Sequence, residues 1–328
     1  MALTYIIYFL IFTIPLWGYL ILLNTRVSPT LCGWLMAIGF IGLKYFFVPA
    51  NPLTAMFLYI VSTFWSMKLV VTNNHLGKAN RLTFIQWLVF SYGWFGMNPA
   101  PFKSFPGKPF PDYMAHILKG ISRIIMGLVL ITSARLYYFN TEWSVANNYF
   151  VNICYLISLS LILHFGILNI NTGLLRMAGV NVSTLFNKPI KSKTLQEFWS
   201  RRWNLAFIEL TTIAVLRPLK KRYGQKVAFW TSYIFSGLLH ELAISLPVNH
   251  GYGKPFLYFI IQAGLILGVE KYVINPDTGK FKRLLWLLLC LFVPMPILFH
   301  QMFISWIVMP LVDLLAYRGF DFVVIIFE

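Results

Sequence analysis

Charged residues are scarce in this sequence, and acidic ones are the scarcest. Of its 328 residues 11% are charged, with 27 Lys and Arg against 10 Asp and Glu, whereas a soluble domain carries roughly a quarter. Apolar residues make up 58% of the chain, which is more than one globular core can bury. The composition therefore excludes an ordinary soluble domain and predicts an integral membrane protein.

Cysteine is also rare. Cys32, Cys154 and Cys290 lie far apart, each within an apolar run. Three isolated thiols exclude a disulfide framework, and no Cys/His spacing typical of a metal site occurs. We therefore expect free, buried thiols and no bound metal.

The net charge of +17 would suggest nucleic-acid binding in a soluble protein, but the positions of the basic residues do not. Lys and Arg occur in short connectors between apolar runs, as orientation signals do. No basic helix or aromatic-basic platform lies outside those runs, so we expect no nucleic-acid partner.

Apolar runs predict an all-α, polytopic protein with eight or nine transmembrane helices. The first run lacks the basic n-region of a cleavable signal peptide, so we expect it to be retained. The nine predicted helices cover residues 3–23, 31–48, 53–71, 117–138, 148–168, 227–247, 255–270, 284–300 and 303–318. Because no repeat or low-complexity linker separates a second part, the sequence predicts one membrane domain over residues 1–328.

Two further apolar windows, near 83–97 and 203–216, are short and have basic or polar connectors on each side. If neither crosses the bilayer, roughly twenty Lys and Arg residues fall on one side, which the positive-inside rule makes cytoplasmic. Crossing at either window moves a basic loop to the opposite face. Both windows are therefore predicted to be re-entrant or interfacial helices on the cytoplasmic side. Lys68, near the inner end of its span, is expected to snorkel.

His240 and Glu241 lie side by side in SGLLHELAIS, inside a predicted transmembrane helix. Ionisable side chains are costly in a bilayer, so both must face protein or a water-filled cavity. Ser236 shares the helix face of His240, whereas Glu241 points about 100° away and is expected to pair with a neighbouring span. Arg123 and His164 are candidate partners. A packing role for His240 as a cross-helix hydrogen-bonding residue stays open.

A second polar cluster, LQEFWSRRWNLAF, opens the window at 203–216. Arg201, Arg202 and Trp203 alone are typical of an interfacial helix. Asn204, however, leads into the apolar segment, where an amide needs partners.

Basic residues also follow this window, in the connector RPLKKRYGQK. Two basic groups flanking a re-entrant helix would form a cytoplasmic opening suited to an anionic, phosphate-bearing ligand. The second group consists of Arg217, Lys220, Lys221 and Arg222. Orientation by charge alone is the alternative interpretation.

Two motifs carry a family resemblance. EFWSRRWN at 197–204 and FSGLLHEL at 235–242, in this order and at this separation, resemble the paired signature of the wax synthase-like branch of the membrane-bound O-acyltransferase (MBOAT) superfamily. WFGMNPAPF at 94–102 resembles the Trp-x-Gly-Met segment upstream in that branch, and the resemblance covers about 90–270. It implies an acyl-CoA-dependent transferase, with acyl-CoA as co-substrate and no cofactor, that esterifies a lipophilic alcohol. A long-chain fatty alcohol, diacylglycerol, a sterol or a terpenoid is the implied acceptor.

The resemblance also implies site residues. It makes His240 the catalytic residue and Asn204 its partner, while Phe95 and Ser200 depart from a frequent Pro and a common Gly, away from the reacting groups. A neutral imidazole, favoured by desolvation, suits removal of the acceptor proton. The asparagine would orient the thioester or donate to the oxyanion, a role worth roughly 3 kcal/mol.

The remaining implied roles concern support and binding. Glu241, Ser236 and Trp203 are expected to support the catalytic pair. The basic residues of both clusters are expected to bind the CoA headgroup, with the thioester between them and an apolar tunnel that ends near His240.

Two other functions fit the membrane pattern. A proton-coupled transporter of a small solute would relay protons through intramembrane groups such as Lys44 or Lys68. A membrane-bound isoprenoid cyclase would need an acidic donor, for which Glu209, Glu241 and Asp313 are the main candidates. The expected membrane is the endoplasmic reticulum of a eukaryote or the plasma membrane of a bacterium, and the oligomeric state stays open.

Overall fold

A computed structural model describes residues 2–42, 51–77, 80–142 and 144–316, and all regular structure within these ranges is helical. The predicted all-α class is therefore confirmed. In chain order the α-helices are α1 (Ala2–Phe12), α2 (Ile14–Leu23), α3 (Pro29–Gly42), α4 (Pro52–Leu76), α5 (Phe84–Gly93), α6 (Tyr113–Asn140), α7 (Val145–Ser160), α8 (Leu168–Met177), α9 (Leu195–Glu197), α10 (Leu205–Thr211), α11 (Arg217–His240), α12 (Leu246–Val248), α13 (Lys254–Gly264), α14 (Glu270–Val273), α15 (Lys280–Phe292), α16 (Met295–Leu298) and α17 (Gln301–Phe303). Lys44 lies outside the described residues.

Several of these helices continue directly into a wider, π-helical turn. These turns are Leu161–Ile167, Phe198–Arg202, Thr212–Leu216, Glu241–Ser245, Leu265–Val269 and Ile304–Val308. Turns of this kind are frequent at functional sites, and two of the six, Phe198–Arg202 and Glu241–Ser245, overlap the two signature motifs.

Six described helices are long and apolar enough to cross a membrane, or seven if α1 and α2, bent by 46°, form one span. The six are Pro52–Leu76, Tyr113–Asn140, Val145–Met177, Leu205–Val248, Lys254–Val273 and Lys280–Leu298. The fourth of these, of 44 residues, contains a break at Gly224 and therefore consists of two arms. Shorter apolar helices at Pro29–Gly42 and Gln301–Ala316 account for the two remaining predicted runs. Within the described residues, each of the nine predicted runs thus coincides with an apolar helix, while residues 43–48 and 317–318 of two runs lie outside them. The chain is a multi-pass integral membrane protein.

Packing divides the chain into two compact units. The first unit contains the described residues up to Phe105 and Asn187–His300; the second contains the described residues of Pro106–Phe186 and those from Gln301 to Ala316. The prediction of one membrane domain over residues 1–328 stays a prediction.

Within the second unit, α6 packs closely along the helices that follow it. A Cβ atom at Gly120 would lie 2.7 Å from the carbonyl oxygen of Gly166, and one at Gly173 would lie 2.7 Å from that of Tyr113. Small residues thus allow these helix backbones to touch, as is common in membrane helix packing.

The first short window forms α5, whose ten residues span about 15 Å at the helical rise. Thr83 caps this helix with a reciprocal capping box to Gln86. A segment of ten residues is too short to cross a hydrocarbon core of about 30 Å. The short, non-crossing helix predicted here agrees with this length.

The second short window is the first arm of a helical hairpin. The helix that starts at Leu205 continues past the window and breaks only at Gly224, whose φ of 84° and ψ of 174° suit glycine. The ring of Phe207 lies 6.5 Å from that of Phe235, a distance that the chain reaches only by reversing its direction. The connector predicted at residues 217–226 was therefore wrong in its structure, because most of it is helical and extends the first arm.

Candidate active site

His240 is the last residue of α11, at the end of the second hairpin arm. Its Nδ1 atom lies 2.7 Å from the backbone carbonyl oxygen of Ser236, one turn earlier. Because a carbonyl oxygen only accepts hydrogen bonds, Nδ1 must carry the proton in the neutral ring. Nε2 is then the nitrogen with a free lone pair, and it is available to accept a proton.

Two aromatic rings bracket this imidazole. Phe259 of α13 lies 4.3 Å from His240 between ring centroids, and Phe207 of α10 lies 5.8 Å away. They fix the orientation of the ring in apolar surroundings. Sequence reasoning missed both residues, because a phenylalanine in an apolar run carries no signal that separates it from core packing.

Asn204 begins α10 in a left-handed conformation, with φ 46° and ψ 70°. Asparagine tolerates this region better than most residues. Its Oδ1 accepts a hydrogen bond of 3.2 Å from the N–H of Phe207, which caps the helix. The Nδ2 donors make no hydrogen bond within the described ranges. Phe207 therefore links the two predicted catalytic residues: its backbone N–H contacts Asn204, and its ring lies beside His240.

The turn before Asn204 is held by an ion pair inside the first motif. Glu197 Oε1 accepts from Arg202 Nη2 at 2.7 Å, and Glu197 Oε2 accepts from the N–H of Lys193 at 2.7 Å. Partial burial raises the pKa of Glu197, but the hydrogen bonds from Lys193 and Arg202 outweigh it, and the net pKa lies below its usual value. Arg202 also donates to the carbonyl of Asn187, so its guanidinium is engaged structurally.

The tryptophans of the same motif dock it onto α13 and its neighbours. Trp203 stacks on Phe198 with centroids 5.3 Å apart, and this places the predicted supporting residue in packing. Trp199 Nε1 donates to Gln262 Oε1 at 3.1 Å, and Gln262 Nε2 donates to the carbonyl of Cys290 at 2.9 Å. Gln262 is fully buried. An isolated amide inside an apolar run was the signal that could have identified it.

Glu270 holds the start of this motif. Its carboxylate accepts hydrogen bonds from the backbone N–H groups of Leu195 and Gln196, at the first turn of α9. An acid at a helix start satisfies otherwise unpaired donors. Sequence reasoning missed this residue as well.

Glu241 pairs with a neighbouring helix, as expected, but its partner is backbone. Its Oε1 accepts a hydrogen bond of 3.0 Å from the N–H of Phe256, in the first turn of α13. The N-cap residue there, Gly253, offers no side-chain cap. Neither proposed partner fills this place: Arg123 contacts Met126 and His164 contacts Ser160, all within the other unit. Glu241 therefore supports the site through α13, which carries Phe259.

The two predicted basic groups lie at opposite ends of the first hairpin arm. Arg201 is exposed beside Asn204, whereas the exposed residues Arg217, Lys220, Lys221 and Arg222 lie near the turn at Gly224. At the helical rise, Leu205 and Arg217 are about 18 Å apart. The structure therefore does not bring the two groups together into one opening.

Lys68 does not snorkel. Its side chain is completely buried, and Nζ donates to the backbone carbonyls of Phe90, Trp94 and Gly96. The prediction was wrong because it considered only how close Lys68 lies to the end of its span. It did not consider the backbone carbonyl oxygens that the folded segment after α4 presents to Nζ.

An apolar groove of about 320 Å³ runs between the two hairpin arms and α3. Trp34, Phe235 and Leu238 line it, and nearly all of its other lining is apolar. Phe235 contacts Phe207, whose ring lies against His240. Phe207 thus connects the lining of the groove to the imidazole, although His240 itself does not line the groove.

Comparisons with known proteins agree with these motifs. A model of the membrane bound O-acyl transferase family matches residues 182–261. The chain is 28% identical over 130 residues to a probable long-chain-alcohol O-fatty-acyltransferase 8 of Arabidopsis thaliana, covering 37% of this chain and 39% of that protein. It is 30% identical over 113 residues to an acyl-CoA–sterol O-acyltransferase 1 of the same plant, covering 32% and 33%.

A third relative is the long-chain-alcohol O-fatty-acyltransferase of Simmondsia chinensis, 25% identical over 112 residues and covering 32% of each chain. The matches thus span about two fifths or less of the length of these curated relatives. The resemblance to the wax synthase-like MBOAT branch is confirmed, and it covers the helices that carry both signature motifs.

Proposed function

We propose that this protein is an acyl-CoA-dependent O-acyltransferase that esterifies the hydroxyl group of a lipophilic alcohol inside the membrane. One observation carries the proposal: the hydrogen bond from His240 Nδ1 to Ser236 leaves Nε2 as a base. Asn204, whose amide donors make no hydrogen bond to the described residues, begins the helix that carries Phe207 against this imidazole. This is the pair that acyl transfer to an alcohol requires.

In the proposed reaction, Nε2 of His240 takes the proton of the acceptor hydroxyl as its oxygen attacks the thioester carbonyl carbon. The tetrahedral intermediate carries its negative charge on the former carbonyl oxygen. The intermediate collapses with cleavage of the carbon–sulfur bond, and the CoA thiolate leaves with the proton that Nε2 held. No other proton acceptor is needed, and the ester is the product.

Asn204 Nδ2 is the proposed donor to that oxyanion. Its cap contact uses only Oδ1, so the amide nitrogen can turn its hydrogens toward the reacting oxygen. The left-handed backbone and the cap hold the side chain before substrate arrives, and such preorganisation makes an oxyanion donor effective.

The groove between the hairpin arms supports a long-chain substrate. Its lining is almost entirely apolar, and each methylene that leaves water for such a surface contributes about 0.8 kcal/mol. The relatives' names point to long-chain alcohols first and to a sterol second. We propose a long-chain alcohol as the acceptor, with a sterol as the second candidate.

The CoA headgroup is proposed to bind basic side chains, and the hairpin offers two separate places. Arg201 lies beside the reacting pair, while the group at residues 217–222 lies near the Gly224 turn. With the basic connectors on the cytoplasmic side, as the positive-inside rule predicts, the headgroup would approach from the cytoplasm. The membrane is proposed to be the endoplasmic reticulum in a eukaryote or the plasma membrane in a bacterium.

The described contacts give less support to the two other functions. All three acids available to a cyclase accept hydrogen bonds or pair with a cation: Glu209 with the N–H of Met97, Glu241 with that of Phe256, and Asp313 with Arg135. These are contacts of carboxylates rather than of proton donors. Lys68, a relay candidate for a transporter, is held by three carbonyls.

The test is product formation. Purified protein in detergent is incubated with radiolabelled palmitoyl-CoA and, separately, long-chain alcohols, diacylglycerol or a sterol, beside His240→Ala. We expect a labelled ester and released CoA from the wild type, and neither from the variant at an unchanged melting temperature. If no acceptor yields an ester and no CoA is released, the proposal is wrong, and gradient-dependent transport becomes the next assay.

A further inference from the structure

Two opposite charges lie on either side of residues 94–98, the WFGMN part of the upstream motif. On one side is Lys68 of α4, which is completely buried. Its Nζ donates to the carbonyl oxygens of Phe90 at 2.6 Å, Trp94 at 2.7 Å and Gly96 at 3.0 Å. It also lies 3.8 Å from the centroid of the Phe90 ring, a favourable cation–π distance. A buried ammonium is thus satisfied by carbonyls of one short segment.

Glu209 of α10 meets the same segment from the other side. Its Oε2 accepts a hydrogen bond of 2.8 Å from the N–H of Met97, and the N–H of Asn98 also donates to this carboxylate. Lys68 and Glu209 form no direct salt bridge among the described contacts, but both bind the backbone of this one segment. The peptide groups between them therefore present carbonyl oxygens to the cation and N–H groups to the anion.

The arrangement reaches the reacting pair through α10. Glu209 follows Phe207 by two residues on this helix of two turns, and Phe207 contacts the ring of His240. Asn204 caps the same helix through the N–H of Phe207. Asn204, Phe207 and Glu209 lie within the first two turns of one continuous helical arm, so a contact that fixes Glu209 also restrains the cap at the start of that arm.

We propose that Lys68 and Glu209 are positioning residues, which clamp residues 94–98 between α4 and α10 and thereby hold the Asn204 amide in place beside His240. The inference rests on the proposed acyl transfer and names residues for which the motifs gave no role. Neither residue touches the reacting atoms. The two residues act on the same segment: Lys68 satisfies its carbonyl oxygens, and Glu209 satisfies its N–H groups.

The test uses isosteric and charge-conserving variants. Glu209→Gln keeps the size and one acceptor oxygen but removes the charge, while Lys68→Met removes the ammonium and Lys68→Arg keeps a cation. We expect kcat to fall about 10²-fold in Glu209→Gln and Lys68→Met with the KM for palmitoyl-CoA unchanged, since a misplaced group can cost that much. The double variant is expected to be no slower than the slower single one, and Lys68→Arg to recover part of the loss. Asp313→Asn, in the other unit, is the matched carboxylate control and is expected to retain wild-type kcat.

Hydrogen exchange supplies a readout that does not depend on activity. Peptides covering residues 94–98 and 204–211 are expected to exchange at least tenfold faster in Glu209→Gln and Lys68→Met, with the second hairpin arm unchanged. Unchanged exchange in these peptides, or a double variant whose loss is the product of the two single losses, overturns the clamp. If wild-type protein forms no ester, the proposed function fails, and exchange still decides whether the clamp exists. If Lys68→Met does not fold, the same kcat and exchange measurements are made on Glu209→Gln and Lys68→Arg alone.

Discussion

The Nδ1 atom of His240 donates a hydrogen bond of 2.7 Å to the carbonyl oxygen of Ser236, within the same helix. Sequence spacing places Ser236 on the helix face of His240 as a supporting residue, but its hydroxyl donates to the carbonyl of Ser232. The contribution of Ser236 to the site is thus its backbone, and the helix itself selects the tautomer. The nitrogen left for chemistry is Nε2.

This relationship predicts the behaviour of His240→Asn. An asparagine amide can reproduce the donor at the Nδ1 position but offers no basic nitrogen at the Nε2 position. We expect at least a 10²-fold loss of kcat with a melting temperature close to that of the wild type, measured by ester formation and thermal unfolding in detergent. His250→Ala, in a connector, is the control. Substantial activity in His240→Asn contradicts the assignment of Nε2 as the base.

Asn204 combines two roles that variants can separate. Asn204→Asp retains an Oδ atom for the helix cap and removes the amide donor, so we expect kcat to fall about 10²- to 10³-fold with little change in stability. Asn204→Gly suits φ of 46° and also lacks the donor. Equal losses of kcat in the two variants support an oxyanion donor. Full activity in the glycine variant leaves Asn204 with the backbone role alone.

Glu241 is predicted to act through stability rather than through chemistry. Glu241→Ala leaves the N–H of Phe256 without its acceptor, and loss of a helix cap costs about 1 kcal/mol. Glu241→Gln keeps an acceptor oxygen and is expected to melt near the wild type. Thermal unfolding compares the two, and kcat should follow the folded fraction. A large loss of kcat in Glu241→Gln at wild-type stability argues against a purely supporting role.

Much of the fold follows from the sequence because hydropathy is summed over long runs. In the described part of the chain all nine predicted runs coincide with apolar helices. The two motifs come close because a hairpin joins them. The structure of 217–226 escaped prediction because its Lys and Arg residues are good helix formers, which the search for connectors read only as charge. Lys68 and Gln262 also escaped, since their partners lie more than twenty residues away and exist only in the folded chain.

The ion pair of Glu197 with Arg202 predicts a dependence of stability on pH. Because the folded pKa of Glu197 lies below the ordinary value of 4.5, ionised Glu197 stabilises the fold above pH 4.5. That contribution is lost as the pH falls through the lower, folded pKa. We expect Glu197→Gln to be less stable than the wild type at pH 7, by about 1 kcal/mol at most, and the difference to shrink below pH 4.5. Thermal unfolding at pH 7 and at about pH 3.5 measures it; a constant difference rules the pair out.

The two basic groups predict opposite outcomes for binding of the CoA headgroup. If the headgroup contacts the end of the arm that holds Asn204, Arg201→Gln raises the KM for palmitoyl-CoA, and neutralising the residues near Gly224 leaves it unchanged. If the headgroup lies near Gly224, the reverse holds.

We expect the effect at Arg201, because it is exposed within one turn of Asn204, whereas the second group begins about 18 Å along the helix. Loss of one charge contact should raise KM roughly tenfold, with kcat retained. The matched variant replaces Lys220, Lys221 and Arg222 together by Gln. Measuring KM at several salt concentrations distinguishes a direct contact with the CoA headgroup from long-range electrostatic attraction, which salt screens. A rise in KM only in the triple variant would move the headgroup to the Gly224 turn, and the thioester would then have to reach His240 along the groove.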